Sequence, residues 1–149
     1  MFNVVLVEPE IPPNTGNIGR LCLATQSTLH LVKPLGFSLD NRELRRAGLD
    51  YWEEVSLQLW DSFDALRQAQ PSAARYFFLT TKSKRPYYDV RFQKDDFLVF
   101  GRETRGLPDD LLAANINHRI TIPMQGTRSL NLATAVAIVL FEAVRQQQA

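Results

Sequence analysis

Apolar residues along this chain follow two different periods. Asn3–Val7 (NVVLV) is a short β-branched run without alternation, the pattern of a strand buried on both faces. PEIPPNTGNIGRLC, residues 9–22, crowds proline, glycine and asparagine together and reads as a rigid turn. NIGRLCLATQ then places Ile18, Leu21, Cys22 and Thr25 on one helical face. Leu29–Pro34 predicts a second strand closed by proline. NRELRRAG predicts a short helix with Asn41 as N-cap and Gly48 as its stop. EEVSLQLW is ambiguous and fits a strand edge, and DSFDALRQAQ predicts a helix capped by Asp61. Ala74–Thr81, DDFLVFG (Asp95–Gly101) and HRITIPM read as three more strands. LPDDLLAAN is a short helix with Pro108 near its start and Asp109 and Asp110 in its first turn. Ser129–Gln148 is the longest helix, with an apolar face broad enough to be well buried.

Strands alternating with helices of this length predict an α/β fold, a mostly parallel sheet flanked by helices. With no repeat, no low-complexity tract and no linker, residues 1–149 are expected to form a single domain. Pattern alone predicts an ordinary doubly wound sheet.

Composition narrows the function classes. The chain is 45% hydrophobic and 22% charged, as in ordinary globular proteins, and its net charge is +1. No apolar run reaches the ~20 residues of a membrane helix, and MFNVVLVEPE lacks a basic leader, so no membrane partner and a cytoplasmic location are expected. Cys22 is the only cysteine, read as a buried thiol, and His30 and His118 lie far apart, so no metal is expected. Two local basic clusters stand out, Arg42, Arg45 and Arg46, then Lys82, Lys84 and Arg85. Each suits either phosphate contact or plain solvated surface.

Ligands of open α/β sheets bind beyond the carboxyl ends of the strands. Four predicted strand ends carry unusual turn chemistry: EPEIPPNTGNIGR, the two hydroxyls closing YFFLTT, FGRETRGLP and IPMQGTRSLN. Together they predict a ligand lying against exposed backbone. The chain has no G-x-G-x-x-G, no G-x-x-x-x-G-K-[ST] and no G-x-S-x-G, which leaves dinucleotide-binding, nucleotide-triphosphate and hydrolase readings without support.

PEIPPNTGNIGRLC, FGRETRGLP and IPMQGTRSLNLATAVAIVLFEA resemble, in order and spacing, the three motifs of the SPOUT RNA 2′-O-ribose methyltransferases. Within that class the chain is most similar to the small tRNA (cytidine/uridine-34-2′-O)-methyltransferases, and RRAGLDYWE fits the same branch. The resemblance spans essentially the whole chain. It implies a C-terminal deep trefoil knot, S-adenosyl-L-methionine as methyl donor, the anticodon region of tRNA as partner, and a homodimer. It leaves two other readings open, a 2′-O-methyltransferase acting on a different RNA and a knotted RNA-binding protein without catalysis.

The resemblance also assigns residues. Arg20, Ser129 and Asn131 match the catalytic positions. Leu79, Thr80, Gly101, Glu103, Gly106, Ile122, Met124 and Leu130 match the cofactor loops, with contacts mostly through backbone. Asn14, Asn17 and Arg128 shape the site, and Arg42, Arg45 and Arg46 meet substrate. The residue types leave alternatives: Arg20 as a surface arginine, Asn14 and Asn17 as turn or cap residues, and Ser129 and Asn131 as helix caps. Glu103 suits neutralising the cofactor's charge, holding Arg20, or pairing with Arg105. The chain departs from the family pattern twice. Gln125–Thr127 makes a shorter loop, and Ala133 and Thr134 replace a Ser-Asn pair expected near the cofactor.

Overall fold

The computed structural model describes residues 1–148; Ala149, the last residue of the expected domain, lies outside the described residues. Six strands form one sheet, β1 (Asn3–Val7), β2 (Thr28–Val32), β3 (Leu57–Trp60), β4 (Tyr76–Leu79), β5 (Phe97–Phe100) and β6 (Arg119–Ile120). Their spatial order is β3-β2-β1-β5-β4-β6, and every pairing is parallel. The chain first builds outward from β1 to β2 and β3, then crosses to the other side. The order therefore reverses between β1 and β5, which places the crevice of an open parallel sheet beside their carboxyl ends.

The unalternated apolar runs mean burial on both faces, as expected. Val4 and Leu6 pack with Ile18 and Cys22 of α1 (Pro12–Ala24) and with Val136, Val139 and Leu140 of α5 (Leu132–Gln147). Val5 and Val7 face the other way, packing with Phe63 and Leu66 of α3 (Phe63–Gln68) and Leu112 of α4 (Asp109–Ala114). On α5 the buried set is Leu132, Ala135, Val136, Val139, Leu140 and Ala143, the i, i+3, i+4, i+7 stripe of an amphipathic helix.

Some boundaries differ from the sequence expectation. The proline-rich stretch is not a turn before a helix; it is the helix. Pro12 and Pro13 occupy its first two positions, where a missing N–H costs nothing and the fixed φ suits the geometry. The glycines inside it serve close packing. A Cβ on Gly16 would lie 2.2 Å from the carbonyl oxygen of Leu44 in α2 (Arg42–Gly48), and one on Gly19 would lie 2.7 Å from the Trp52 ring. Ser62, not Asp61, caps α3, its Oγ accepting from the Ala65 N–H at 3.0 Å. Asp61 instead pairs with Lys33 at the surface. Asn41 does cap α2, accepting from Glu43 and Leu44, although the chain continues past Gly48 into a 3-10 helix, Leu49–Glu54. β6 has only two residues because Thr121 already turns to pair with Arg85 and Tyr87.

His30, in the middle of β2, is a structural residue. Trp60 Nε1 donates to its Nδ1 at 3.0 Å, so Nε2 carries the hydrogen donated to Asn3 Oδ1 at 2.9 Å. Burial lowers this imidazole from 6.5 to about 4.

Alanine is intrinsically a better helix former than glycine by ~1 kcal/mol. At Gly16, however, the added methyl meets backbone that cannot move without displacing α2, and overpacking commonly costs ~1–3 kcal/mol. Gly16→Ala is expected to lower the thermal midpoint, read by calorimetry. For His30 the unfolded imidazole gains its proton near pH 6.5 and the folded one only near 4. Its stabilising contribution is therefore complete above pH 6.5 and falls, by up to about 3 kcal/mol, as pH drops towards 4. Urea titrations are expected to show a weaker pH dependence across that window in His30→Gln than in the parent.

Candidate functional site

The switch point is closed by carboxylates. Glu103, on the loop after β5, accepts from the Glu10 N–H at 2.8 Å, the Ile11 N–H at 2.9 Å and Asn14 Nδ2 at 3.2 Å. Helix α1 has no side-chain cap and no acid in its own first turn, and its first two helical residues carry no N–H. Glu103 supplies the missing negative charge from across the site, where the helix dipole favours it. Arg102 donates to Glu8 Oε1 at 2.8 Å. Glu10 accepts from the Thr104 N–H at 3.0 Å and hydroxyl at 2.8 Å, which hold its carboxyl below the usual range. Glu8 itself sits at φ 55, an uncommon conformation for a non-glycine residue, anchored by its N–H to the Val32 carbonyl.

The loop answering these contacts is tightly folded. Arg102 and Gly106 exchange backbone hydrogen bonds, and Gly106 takes φ +70. A Cβ on Gly101 would fall 2.0 Å from the Gly106 carbonyl carbon, so position 101 admits only glycine without moving the loop.

Beside this clamp lies a cavity of about 310 Å³ between the ends of β4, β5 and β6 and the start of α5. All eight residues assigned to the cofactor loops line it: Leu79, Thr80, Gly101, Glu103, Gly106, Ile122, Met124 and Leu130. Arg128 and Ser129 line it too. Sequence reasoning missed several of the apolar wall residues, among them Phe100, Leu107, Leu112, Leu132 and Ala135. The last two carry a readable signal, since they continue the buried stripe of α5 into the site.

The polar residues divide into two groups. Asn131 caps α5 by accepting from the Thr134 N–H at 3.1 Å, and its Nδ2 donates to Asn14 Oδ1 at 3.0 Å. Asn14 and Asn131 thus extend the Glu103 clamp to the last helix. Arg20 is not among the cavity-lining residues. It shares a second hollow with Asn17, Leu21, Leu23, Ala24, Tyr51, Ala133, Thr134 and Ala137, between α1 and α5. Three sequence expectations are corrected here. Glu103 holds neither Arg20 nor Arg105 but the α1 N-terminus. Ala133 and Thr134 line the Arg20 hollow, one helical face away from the cavity. Asn14 and Asn17 are helical residues and not turn residues. Of the basic trio, Arg45 pairs with Asp40 and Glu53, while Arg42 and Arg46 are exposed. Among the described residues no cluster of three or more His, Cys, Asp or Glu could hold a metal, and no helix is long and apolar enough to cross a membrane.

The fold is a parallel α/β sheet with a cavity at its strand ends. The SpoU rRNA methylase family model matches residues 1–141, and the chain belongs to that family. A relative from Burkholderia ambifaria, described as a tRNA (cytidine(34)-2′-O)-methyltransferase, is 52% identical over 98% of this chain and 96% of its own length. A solved structure concerned with the 2-OH methylation of C/U34 on tRNA is 47% identical, with TM-score 0.95 over 99% of this chain and 97% of that one. An AdoMet-bound rRNA methyltransferase from Sinorhizobium meliloti is similar at 27% identity and TM-score 0.85, over 97% of this chain and 56% of that one.

The clamp makes a direct comparison possible. Glu103→Ala strips the acceptor from two backbone donors and Asn14, and is expected to cost ~2 kcal/mol of stability. Arg105→Ala, at an exposed loop position, is expected to stay within ~0.5 kcal/mol. Urea unfolding of both variants checks this, and equal small losses would contradict the capping role of Glu103.

Proposed function

We propose that this chain is a tRNA 2′-O-ribose methyltransferase that methylates the cytidine or uridine at position 34, with S-adenosyl-L-methionine as donor, in the cytoplasm and as a single minimal domain. The near full-length similarity to a relative of that description, together with a cavity lined by every expected cofactor-loop residue, carries the reading. The cavity suits this donor chemically. Leu79, Ile122 and Leu130 offer apolar surface for an adenine ring, while Gly101 and Gly106 expose main chain and Thr80 and Glu103 add polar groups. When bound, S-adenosyl-L-methionine supplies an electrophilic methyl group on a sulfonium.

The remaining work is positioning and charge. A ribose 2′-OH must lie in line with the methyl and release its proton to water. A guanidinium stays charged near neutral pH, so Arg20 grips the adjacent phosphate and stabilises the alkoxide as it develops. Ser129 hydrogen-bonds the ribose at the cavity rim, while Asn131, tied to Asn14, fixes that rim to α1. Asn17 and Arg128 shape the approach, and Arg42, Arg45 and Arg46 meet phosphates.

Arg20 lies in the hollow between α1 and α5, and that hollow is largely apolar, which supports a homodimer paired through these helices. The knot is part of the same reading. β6 sits outside β4, yet α5 returns to pack on β5 and α1, so residues 121–131 recross the strand ends. We assign that crossing to a trefoil knot.

Incubation of the protein with labelled donor and unmodified tRNA, followed by mapping of the methylated ribose, is expected to place the label at nucleotide 34. Label elsewhere in tRNA or only in another RNA would move the substrate assignment. Arg20→Ala is expected to lower the single-turnover rate by about 10²–10³ with S-adenosylhomocysteine affinity unchanged. Arg20→Lys should rescue little, because a point charge cannot reproduce the two-pronged grip of a guanidinium.

A further inference from the structure

The second basic cluster of the sequence lies on the segment that leaves the cavity mouth. Thr80, Thr81 and Lys82 line the cavity, and the chain then runs through Ser83, Lys84, Arg85 and Pro86 into a 3-10 helix, Tyr87–Asp89. This stretch is held firmly. Ser83 Oγ donates to the Arg119 carbonyl at 2.9 Å and accepts from the Arg85 N–H at 3.1 Å. Thr121 donates to the Arg85 carbonyl and Tyr87 donates to the Thr121 carbonyl, both at 2.8 Å, extending the sheet past β6.

Lys84, Arg85 and Tyr88 on that fixed backbone are turned outward. Lys82 is committed to Asp109 at 2.6 Å, across the cavity rim. Lys84 and Arg85 are exposed, and among the described residues neither makes an ion pair. Tyr88 is 55% exposed, and Tyr87, packed against the core, props its ring edge-on at 5.2 Å. Arg91 follows, also exposed, and Asp89 is the acid within the stretch. More than half of the Tyr88 surface stays in water between flanking cationic positions, where burial contributes little. The arrangement matches the chemistry that binds unpaired nucleic acid, with phosphates on the cations and a base stacked on the ring.

We infer that residues 84–88 form a second RNA-contact surface, on which Lys84 and Arg85 meet phosphates and Tyr88 carries an unpaired base of the loop that presents the target nucleotide. The inference rests on the tRNA methyltransferase reading and adds to it a track leading away from the cavity. Because the backbone is already fixed, little ordering cost is added on binding.

Equilibrium binding of the full-length protein to unmodified tRNA, at several salt concentrations and with S-adenosylhomocysteine present, tests this without requiring turnover. The double variant Lys84→Ala/Arg85→Ala is expected to bind on the order of tenfold more weakly. Its log–log salt slope should shrink by about 1.4, the value for two phosphates on a single strand. Tyr88→Ala is expected to weaken binding on the order of tenfold, and Tyr88→Phe to match the parent, since stacking needs the ring and not the hydroxyl. Calorimetry should give the parent's S-adenosylhomocysteine affinity for all three. Variants that bind tRNA with the parent's affinity and slope, while the parent methylates nucleotide 34, overturn this inference alone. A parallel loss of cofactor affinity also overturns it, because the effect then runs through the cavity. A parent that neither binds nor methylates tRNA overturns the functional reading itself.

Discussion

A single carboxylate placed at the start of a helix organises this molecule. Helix α1 opens on two prolines, which suit its first turn but offer no side chain to receive the N–H groups just ahead of them. Glu103 receives them from the loop after β5. The interaction is local to the helix yet remote in sequence, so forming it brings the ends of β1 and β5 together at the point where strand order reverses. The two flanking contacts, Arg102 with Glu8 and Thr104 with Glu10, repeat the same pairing on either side. Each partly exposed contact is modest by itself. As a set of opposed donors and acceptors they fix the register of one loop on the other, and the cavity wall is that loop.

The clamp also explains why one helix can serve two places. From Asn14, hydrogen-bonded within the clamp, α1 runs to Arg20 in the separate hollow against α5. Gly16 and Gly19 lie between them, and their missing side chains let α2 and Trp52 press directly on the backbone. The helix is thus pinned at its start and wedged along its side, which fixes where the arginine emerges. An arginine on a mobile loop would pay ordering entropy at every encounter with substrate.

Much of this was legible in the sequence, and the failures share a cause. β1 is predicted residue for residue because an unalternated β-branched run has few other uses. Asn41 is recognisable as a cap because its acceptor serves the next two or three residues. The proline-asparagine-glycine stretch misleads because its residue types favour turns when judged by local conformation alone. Here tertiary contacts decide: the prolines sit where prolines cost least, and the glycines answer neighbours distant in sequence. Glu103 shows the same limit. Its residue type fits a cap, a charge partner or a cofactor contact equally, and only the fold brings the N–H groups of residues 10 and 11 to it. Ser62 in place of Asp61 is the smallest such case, a one-residue choice between two good cap formers.

Helix α5 joins the cavity to the segment beyond it. At its start Asn131 caps the helix and reaches Asn14, so its N-terminus belongs to the clamp. At its end Gln146 donates to the Val90 carbonyl and accepts from the Phe92 N–H, and Gln147 donates to the Phe92 carbonyl. These amide side chains bind the connecting segment much as a strand would, satisfying backbone groups that lie outside the sheet. The connection they hold is the one that carries Tyr87 and Tyr88 and leads into β5. One rigid helix therefore spans from the rim that holds Ser129 to the base of the basic, aromatic segment. The apolar stripe of α5 sets the distance between the two, since sliding the helix along the sheet would unseat Val136, Val139 and Leu140 together.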